Sequence, residues 1–193
     1  MDGLLKNKDR RQLSEWIGRA CNLVLLYKVS RDGGSAEKFH KLCDNKGPTV
    51  SVFYNKDNNV YGGYLSETWG ASNGWCTDQN AFLFKLYSVG DWKPQKFLST
   101  GKSANHFKST NHGPWFYNLG SFSTTVSKYN GYYTMSTTDY FSGSHFHMDG
   151  ETAQSIANGH NNLTDMEVYI VKDGPLAVES ATLWREQPQW NLQ

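Results

Sequence analysis

The chain lacks most of the features that would assign it to a class at sight. Positive and negative charges nearly cancel, 19 Lys and Arg against 18 Asp and Glu in 193 residues. No net field therefore draws it to nucleic acid or to an anionic membrane. Its three cysteines, Cys21, Cys43 and Cys76, are odd in number and widely spaced, which excludes a disulfide framework. No apolar run reaches transmembrane length. The opening "MDGLLKNKDRRQ" is polar and lacks the apolar centre of a secretory signal. These absences predict a cytoplasmic protein with reduced thiols and no membrane insertion. In that setting the glycosylation triplet at Asn162-Leu163-Thr164 is expected to stay idle. Gly-x-Ser-x-Gly and His-Glu-x-x-His are also missing.

A nucleotide loop is missing too, although its tail is present. "KFLSTGKSANHF" contains Gly101-Lys102-Ser103. A phosphate loop needs a glycine five positions earlier, so that backbone N–H groups can curl round the phosphates, and a helix directly after. Lys96 stands where that glycine belongs, and Gly113-Pro114 shortens any helix that could follow. The stretch reads as a polar turn, with no nucleotide bound.

What the chain does have is aromatic residues, 15% of the sequence, with 7 Trp, 11 Tyr and 18 Gly. Aromatics set among Gly and Asn turns suit strands better than a helical bundle. Leu13, Trp16, Ile17 and Ala20 recur at helical spacing and predict an amphipathic N-terminal helix. The run 22–30 predicts a buried strand. Ser35 is placed to cap a second helix whose stripe is Phe39, Leu42 and Cys43, stopped by Gly47-Pro48. "TVSVFYNKDNNVYGGYLS" predicts a hairpin, with Gly62-Gly63 marking a bulge or a close backbone approach. Residues 67–80 predict a long polar loop, 81–88 and 165–172 two further strands, and "PWFYNLGSF", "GYYTMST" and "GSHFHM" shorter ones. "TAQSIANGHNNL" reads as polar turns. The expected fold is α+β but mainly β: a two-sheet antiparallel sandwich flanked by a few helices. The expected division is a helix over 1–19 packing on the domain, a domain over 20–172, and a C-terminal arm or linker over 173–193.

Candidate chemistry is sparse. His145 and His147 would share one side of a strand, with His160, Asp149 or Glu151 as a third ligand. The competing reading is two surface or partly packed histidines, and no metal is expected. Cys43 falls on the apolar stripe of its helix and reads as a packed thiol; Cys76 lies in a loop without a nucleophile signature. Glu67, Asp78, Asp165 and Glu167 lie near strand ends that can converge on one rim, or are simply solvated. In the 67–80 loop, Trp69 and Trp75 either fold back onto the sheet or await a partner. Trp69 follows a strand directly, so Trp75 is the expected partner contact, with Glu67 and Asp78 beside it.

One combination is more specific. "LLYKVSRDGGSAEKFHKLCDNKGPTVSVFYNKDNNVYGGYLSETW" resembles the opening of a TLDc domain. "NAFLFKL", "GYYTMST…SGSHFHM" and "NNLTDMEVYIV" extend the resemblance over about 20–172. "DWKPQKFLSTGKSANHF" and "ATLWREQPQW" are most similar to the amino-terminal half of the interferon-induced protein 44 family, in which a GTPase-like domain follows. The resemblance implies a β-sandwich flanked by helices, no catalytic residues and no cofactor. It also implies a cytosolic interaction domain, interferon-induced and antiviral, in a chain truncated before that second domain. The other branch it implies is oxidative-stress resistance through regulation of the vacuolar proton pump, although Asn80 stands where members of that branch carry Glu. Unidentified cytosolic proteins, or that pump, are the implied partners. The contrasting class is a hydrolase or redox enzyme using His145/His147 or Cys76.

Overall fold

Strand residues pair into two antiparallel sheets of unequal size in the computed structural model, which describes residues 3–70, 74–117, 119, 128–134, 145–159 and 162–174. The helices are α1 (Asn7–Ile17), α2 (Val29–Asp32), α3 (Ala36–Cys43) and α4 (Ala153–Ile156). The strands are β1 (Cys21–Lys28), β2 (Thr49–Asn55), β3 (Val60–Leu65), β4 (Gly74–Cys76), β5 (Phe82–Ser88), β6 (Asp91–Leu98), β7 (His106–Lys108), β8 (Trp115–Phe116), β9 (Lys128–Tyr129), β10 (Tyr132–Thr134) and β11 (Asn162–Asp173). The larger sheet runs β6-β5-β3-β2-β11-β10-β9, with β1 also on β11; the smaller runs β4-β7-β8. This is the α+β, mainly β architecture that the composition and turn pattern predict.

β11 is the spine of the larger sheet. β2 pairs along one side of it, and β1 and β10 share the other. Period-two alternation then sends its residues to two separate cores. Met166 and Val168 join Phe53, Tyr61, Leu65, Leu83 and Phe97 on one face. Tyr169 and Val171 join Leu23, Val50, Val52, Tyr64, Phe82 and Phe84 on the other. A sheet buried on both faces needs two covers.

α1 is the cover of the second face. Leu5 and Leu13 are buried there, and Trp16 lies 6.4 and 6.3 Å from the Phe82 and Phe84 rings. The Asp9 carboxylate accepts the Lys6 N–H at 2.8 Å, which satisfies an orphan donor at the helix start. Gly18, at φ 83°, ends the helix in the left-handed conformation. Ala20 is thus outside the helix and exposed, not part of its stripe. Glu167, wholly buried, ties the segment before α1 to the sheet. It accepts the Leu4 N–H at 2.9 Å and the Tyr54 hydroxyl at 2.8 Å, and it pairs with Lys28 at 3.1 Å. A buried carboxylate is tolerable only when it is paired in this way.

The first face is covered by α2, α3, α4 and the smaller sheet. Ser35 caps α3, its Oγ accepting the Lys38 N–H at 3.1 Å, and Phe39 and Cys43 are fully buried. Thr152 caps α4 in the same way. The glycine pair of β3 is a close approach: a Cβ on Gly63 would sit 2.6 Å from the Phe116 ring, and one on Gly62 would run into the Ser51 carbonyl.

Several local expectations are corrected. The strand expected over 22–30 stops at Lys28, and Val29–Asp32 forms a helical turn. The loop expected over 67–80 contains the strand β4. Of "GSHFHM", the described residues 145–148 contribute one isolated bridge, Ser99 to Phe146, rather than a strand. The polar turns after Glu151 hold α4, whose Ala153 and Ile156 are buried. The strand β6 escapes the sequence pattern because Pro94 and its lysines look like a connection; these are the residues that blunt an edge strand. The arm from 175 onward and His160 lie outside the described residues.

Candidate interaction surface

Three short strands assemble the surface. The register opposes Trp75 to Phe107 and Phe107 to Trp115. It likewise opposes Cys76 to His106 and His106 to Phe116. Because neighbouring residues of a strand point to opposite faces, these are two sets with different fates. His106 and Phe116 are completely buried against the larger sheet. Trp75 is 46% exposed, and Phe107 and Trp115 are half-buried.

The outward set forms a continuous aromatic surface. The Trp75 ring lies 4.9 Å from Phe107, 5.6 Å from Trp115 and 4.7 Å from Tyr117. His112 packs 4.9 Å from Trp115, and His145 stacks on Tyr117 at 3.4 Å. Exposed Glu67 pairs at 3.1 Å with Lys108, the strand neighbour of Phe107. Burial pushes the His145 and His112 rings below their ordinary pKa, His112 also through the nearby His40. Burial, then the Lys108 charge, pushes His106 down to about 4. His106 is thus neutral on the inner side while its strand neighbour Phe107 faces out.

Asp78 is not part of this surface, and that expectation is corrected. It is 3% exposed, and its carboxylate accepts the Ser66 N–H at 2.6 Å, the Ser66 hydroxyl at 2.7 Å and the Asn80 N–H at 2.9 Å. It holds the start of the loop. Asn105 locks the same loop from the other side, its amide donating to the Asp78 carbonyl at 2.6 Å and to Ser99 Oγ at 2.8 Å. Trp69 folds back: it is 1% exposed, packs on Phe39 and Phe116, and donates from Nε1 to Thr49 Oγ1 at 2.9 Å.

Among the described residues the alternative chemistries find no assembled site. His145 is buried with Nδ1 2.6 Å from the Ala104 carbonyl, whereas His147 is exposed, so the two do not converge. Glu151 is engaged by Lys85 at 2.7 Å. Among the described residues no group of three His, Cys, Asp or Glu is placed to hold a metal ion. Cys76 is half-buried, its Sγ 3.7 Å from the Gly74 carbonyl. Burial drives the Cys43 thiol far above its usual pKa, as befits a packed thiol. After Gly101, at φ 66°, the chain bends into β7 and no helix follows, so the phosphate-loop geometry is not built. Lys96 lies in β6, donating to the Trp16 carbonyl at 2.6 Å. On the α1 side of the larger sheet a cleft of about 380 Å³ is lined by Leu4, Asp9, Tyr54, Asn59 and Tyr87. Its one carboxylate, Asp9, is already bonded to the Tyr87 hydroxyl and the Lys6 N–H.

The fold agrees with one further finding: the sequence pattern of the TLDc domain matches residues 2–172. The chain belongs to the TLDc domain family. TLDc domains are generally non-catalytic. The matched span includes α1. Among curated proteins none matches this chain. Among the described residues no helix is long and apolar enough to cross a membrane.

Sequence reasoning missed Phe107, Trp115, Tyr117 and His112. "NHFKS" and "GPWFYN" each carry an outward aromatic, but strands of two or three residues give too short a pattern for periodicity to reveal.

Proposed function

We propose that this TLDc domain is a non-catalytic interaction module that holds a protein partner on the outer aromatic face of its smaller sheet, with Trp75 as the anchor and Glu67 at the rim. The observation that carries this reading is the cross-strand row Trp75–Phe107–Trp115 with Trp75 at its exposed end. Trp and Tyr dominate the energy of protein interfaces, and a rigid sheet spares them the entropy of ordering on binding. The Asp78 carboxylate, bonded to Ser66, supports leaving it out of the contact.

Two branches of the family offer partners. Regulation of the vacuolar proton pump, with the associated stress resistance, is the better supported. The match is to the TLDc domain as a whole, and nothing narrows it to the interferon-induced, antiviral branch or to a following GTPase-like domain. The two are separable by experiment. The tagged chain is used to recover proteins from oxidatively stressed cells and from interferon-treated cells, each alongside a Trp75→Ala control. Recovery of pump subunits that falls at least fivefold with Trp75→Ala supports the first reading. Recovery confined to interferon-treated cells moves the assignment to the second. Recovery unaffected by Trp75→Ala removes the aromatic face from the interaction.

A further inference from the structure

We infer that the cleft at the C-terminal end of α1 is a binding site for a small organic carboxylate carried on a flat apolar body. The cleft, of about 410 Å³, is lined by Trp16, Tyr64, Asn80, Phe82, Lys96 and Leu98. That volume is within the range of small-molecule sites. Its aromatic lining belongs to the α1 face of the larger sheet, away from the aromatic surface of the smaller one. Register builds the site. β6 sets Lys96 opposite Phe84 and Leu98 opposite Phe82. Lys96 and Leu98 are two residues apart, so they share one face of this edge strand with Phe82 and Phe84. Phe82 stacks on Tyr64 at 4.9 Å and meets Trp16 at 6.4 Å, which gives the cleft an aromatic floor. Leu98, 53% exposed, gives it an apolar margin.

Charge balance names the ligand. Lys96 donates to the Trp16 carbonyl at 2.6 Å, and its ammonium sits 4.5 Å over the Phe82 ring. That carbonyl is in the last turn of α1, where a cation complements the helix dipole. The dipole offsets about half a unit charge, and the carbonyl uses one of the three ammonium donors. Among the described residues no carboxylate pairs with Lys96, and burial pulls its pKa below the ordinary lysine value. Arg19, the other cation of the cleft, is already balanced by Asp173 at 2.7 Å. One positive charge is left over. A carboxylate complements it, whereas a doubly charged phosphate brings a charge with no counterpart. Asn80, exposed in the same lining, adds an amide donor for the second carboxylate oxygen. A flat body attached to the carboxylate covers Phe82 and Leu98 and takes their apolar surface out of water.

The test titrates the full chain at neutral pH and constant ionic strength, following backbone amides, the Trp16 indole N–H and the Leu98 methyls by NMR. Benzoate carries both features, acetate the charge alone, benzamide the ring alone, and inorganic phosphate the second charge. Benzoate is expected to saturate the cleft signals in the millimolar range. It is expected to bind about tenfold more tightly than benzamide, the scale of one hydrogen bond to a charged group. Acetate and phosphate are expected to bind more weakly than benzoate. Lys96→Met keeps the apolar stem and is expected to bring benzoate down to the level of benzamide. Asn80→Asp places a carboxylate in the lining and is expected to weaken benzoate about as much. Should Lys96→Met fail to fold, the exposed Asn80 position decides. Benzoate no tighter than benzamide, phosphate tighter than benzoate, binding that survives these variants, or shifts confined to Trp75 and Phe107 overturns the assignment. Trp75→Ala is expected to leave benzoate binding unchanged, so a failure here is distinguishable from a failure of partner recovery.

Discussion

The two sheets use the same residue types for opposite ends. In the larger one, the aromatics of β3 and β5 are sealed between α1 on one face and α3, α4 and the smaller sheet on the other; Tyr61, Phe82 and Phe84 are all within 1% of complete burial. In the smaller one, among the described residues, only the inner face is sealed. Phe116 fills the space above Gly63, His106 is neutral beside Trp69, and the outer aromatics meet solvent. A sheet covered on both sides gains stability from every alternate residue. A sheet covered on one side keeps half its residues for something else. That division is the physical basis for proposing recognition on the smaller sheet and stability in the larger.

The sharpest way to break the comparison is to remove the contact between the sheets. Phe116→Ala should cost about 3–5 kcal/mol, because a fully buried ring leaves a cavity that rigid strands cannot close. Thermal unfolding should show a midpoint lowered by about 10 °C or more; a change of a degree or two would mean that the smaller sheet is not seated on the larger. Next comes the pH dependence of the inner face. The His106 pKa is depressed to about 4 in the fold. Its contribution is therefore complete above the ordinary value and is lost as pH falls toward 4. It amounts to at most about 3 kcal/mol. His106→Asn should be less stable than wild type at pH 7, with the gap narrowing as unfolding is followed down to pH 4. A gap that widens would reverse the sign and place a charged ring in the fold.

Gly63→Ala probes the same junction from the other side. Its Cβ would meet the Phe116 ring at 2.6 Å, and overpacking of this kind costs about 1–3 kcal/mol. Combined with Phe116→Ala, the loss should fall short of the sum, since the smaller residue vacates the space. Strict additivity in denaturant melts would show that the two positions do not touch. The smallest effect belongs to the outer face. Trp75→Ala should lower the melting midpoint by only a few degrees, as a loss of about 1 kcal/mol does, while weakening partner recovery. A loss near 15 °C would mark Trp75 as core and end the interaction reading.

The sequence alone determined what depends on near neighbours. The β2–β3 hairpin follows from an Asn-rich turn between two strand runs, with Asn58 at φ 58° in the left-handed conformation such turns require. The cap at Ser35, the stripe of Phe39 and Cys43, the close approach at Gly62-Gly63 and the absence of a phosphate loop are likewise local facts. Tertiary structure decided the rest. It bonded Asp78 inside the loop, turned Trp69 inward, and separated His145 from His147. It also brought Trp75, Phe107 and Trp115 side by side from segments some 30 and 8 residues apart. Strands of two or three residues carry too little pattern to announce their partners. Their register is fixed only when Phe116 and His106 find the larger sheet, because burial of one face is what makes a one-residue slip intolerable.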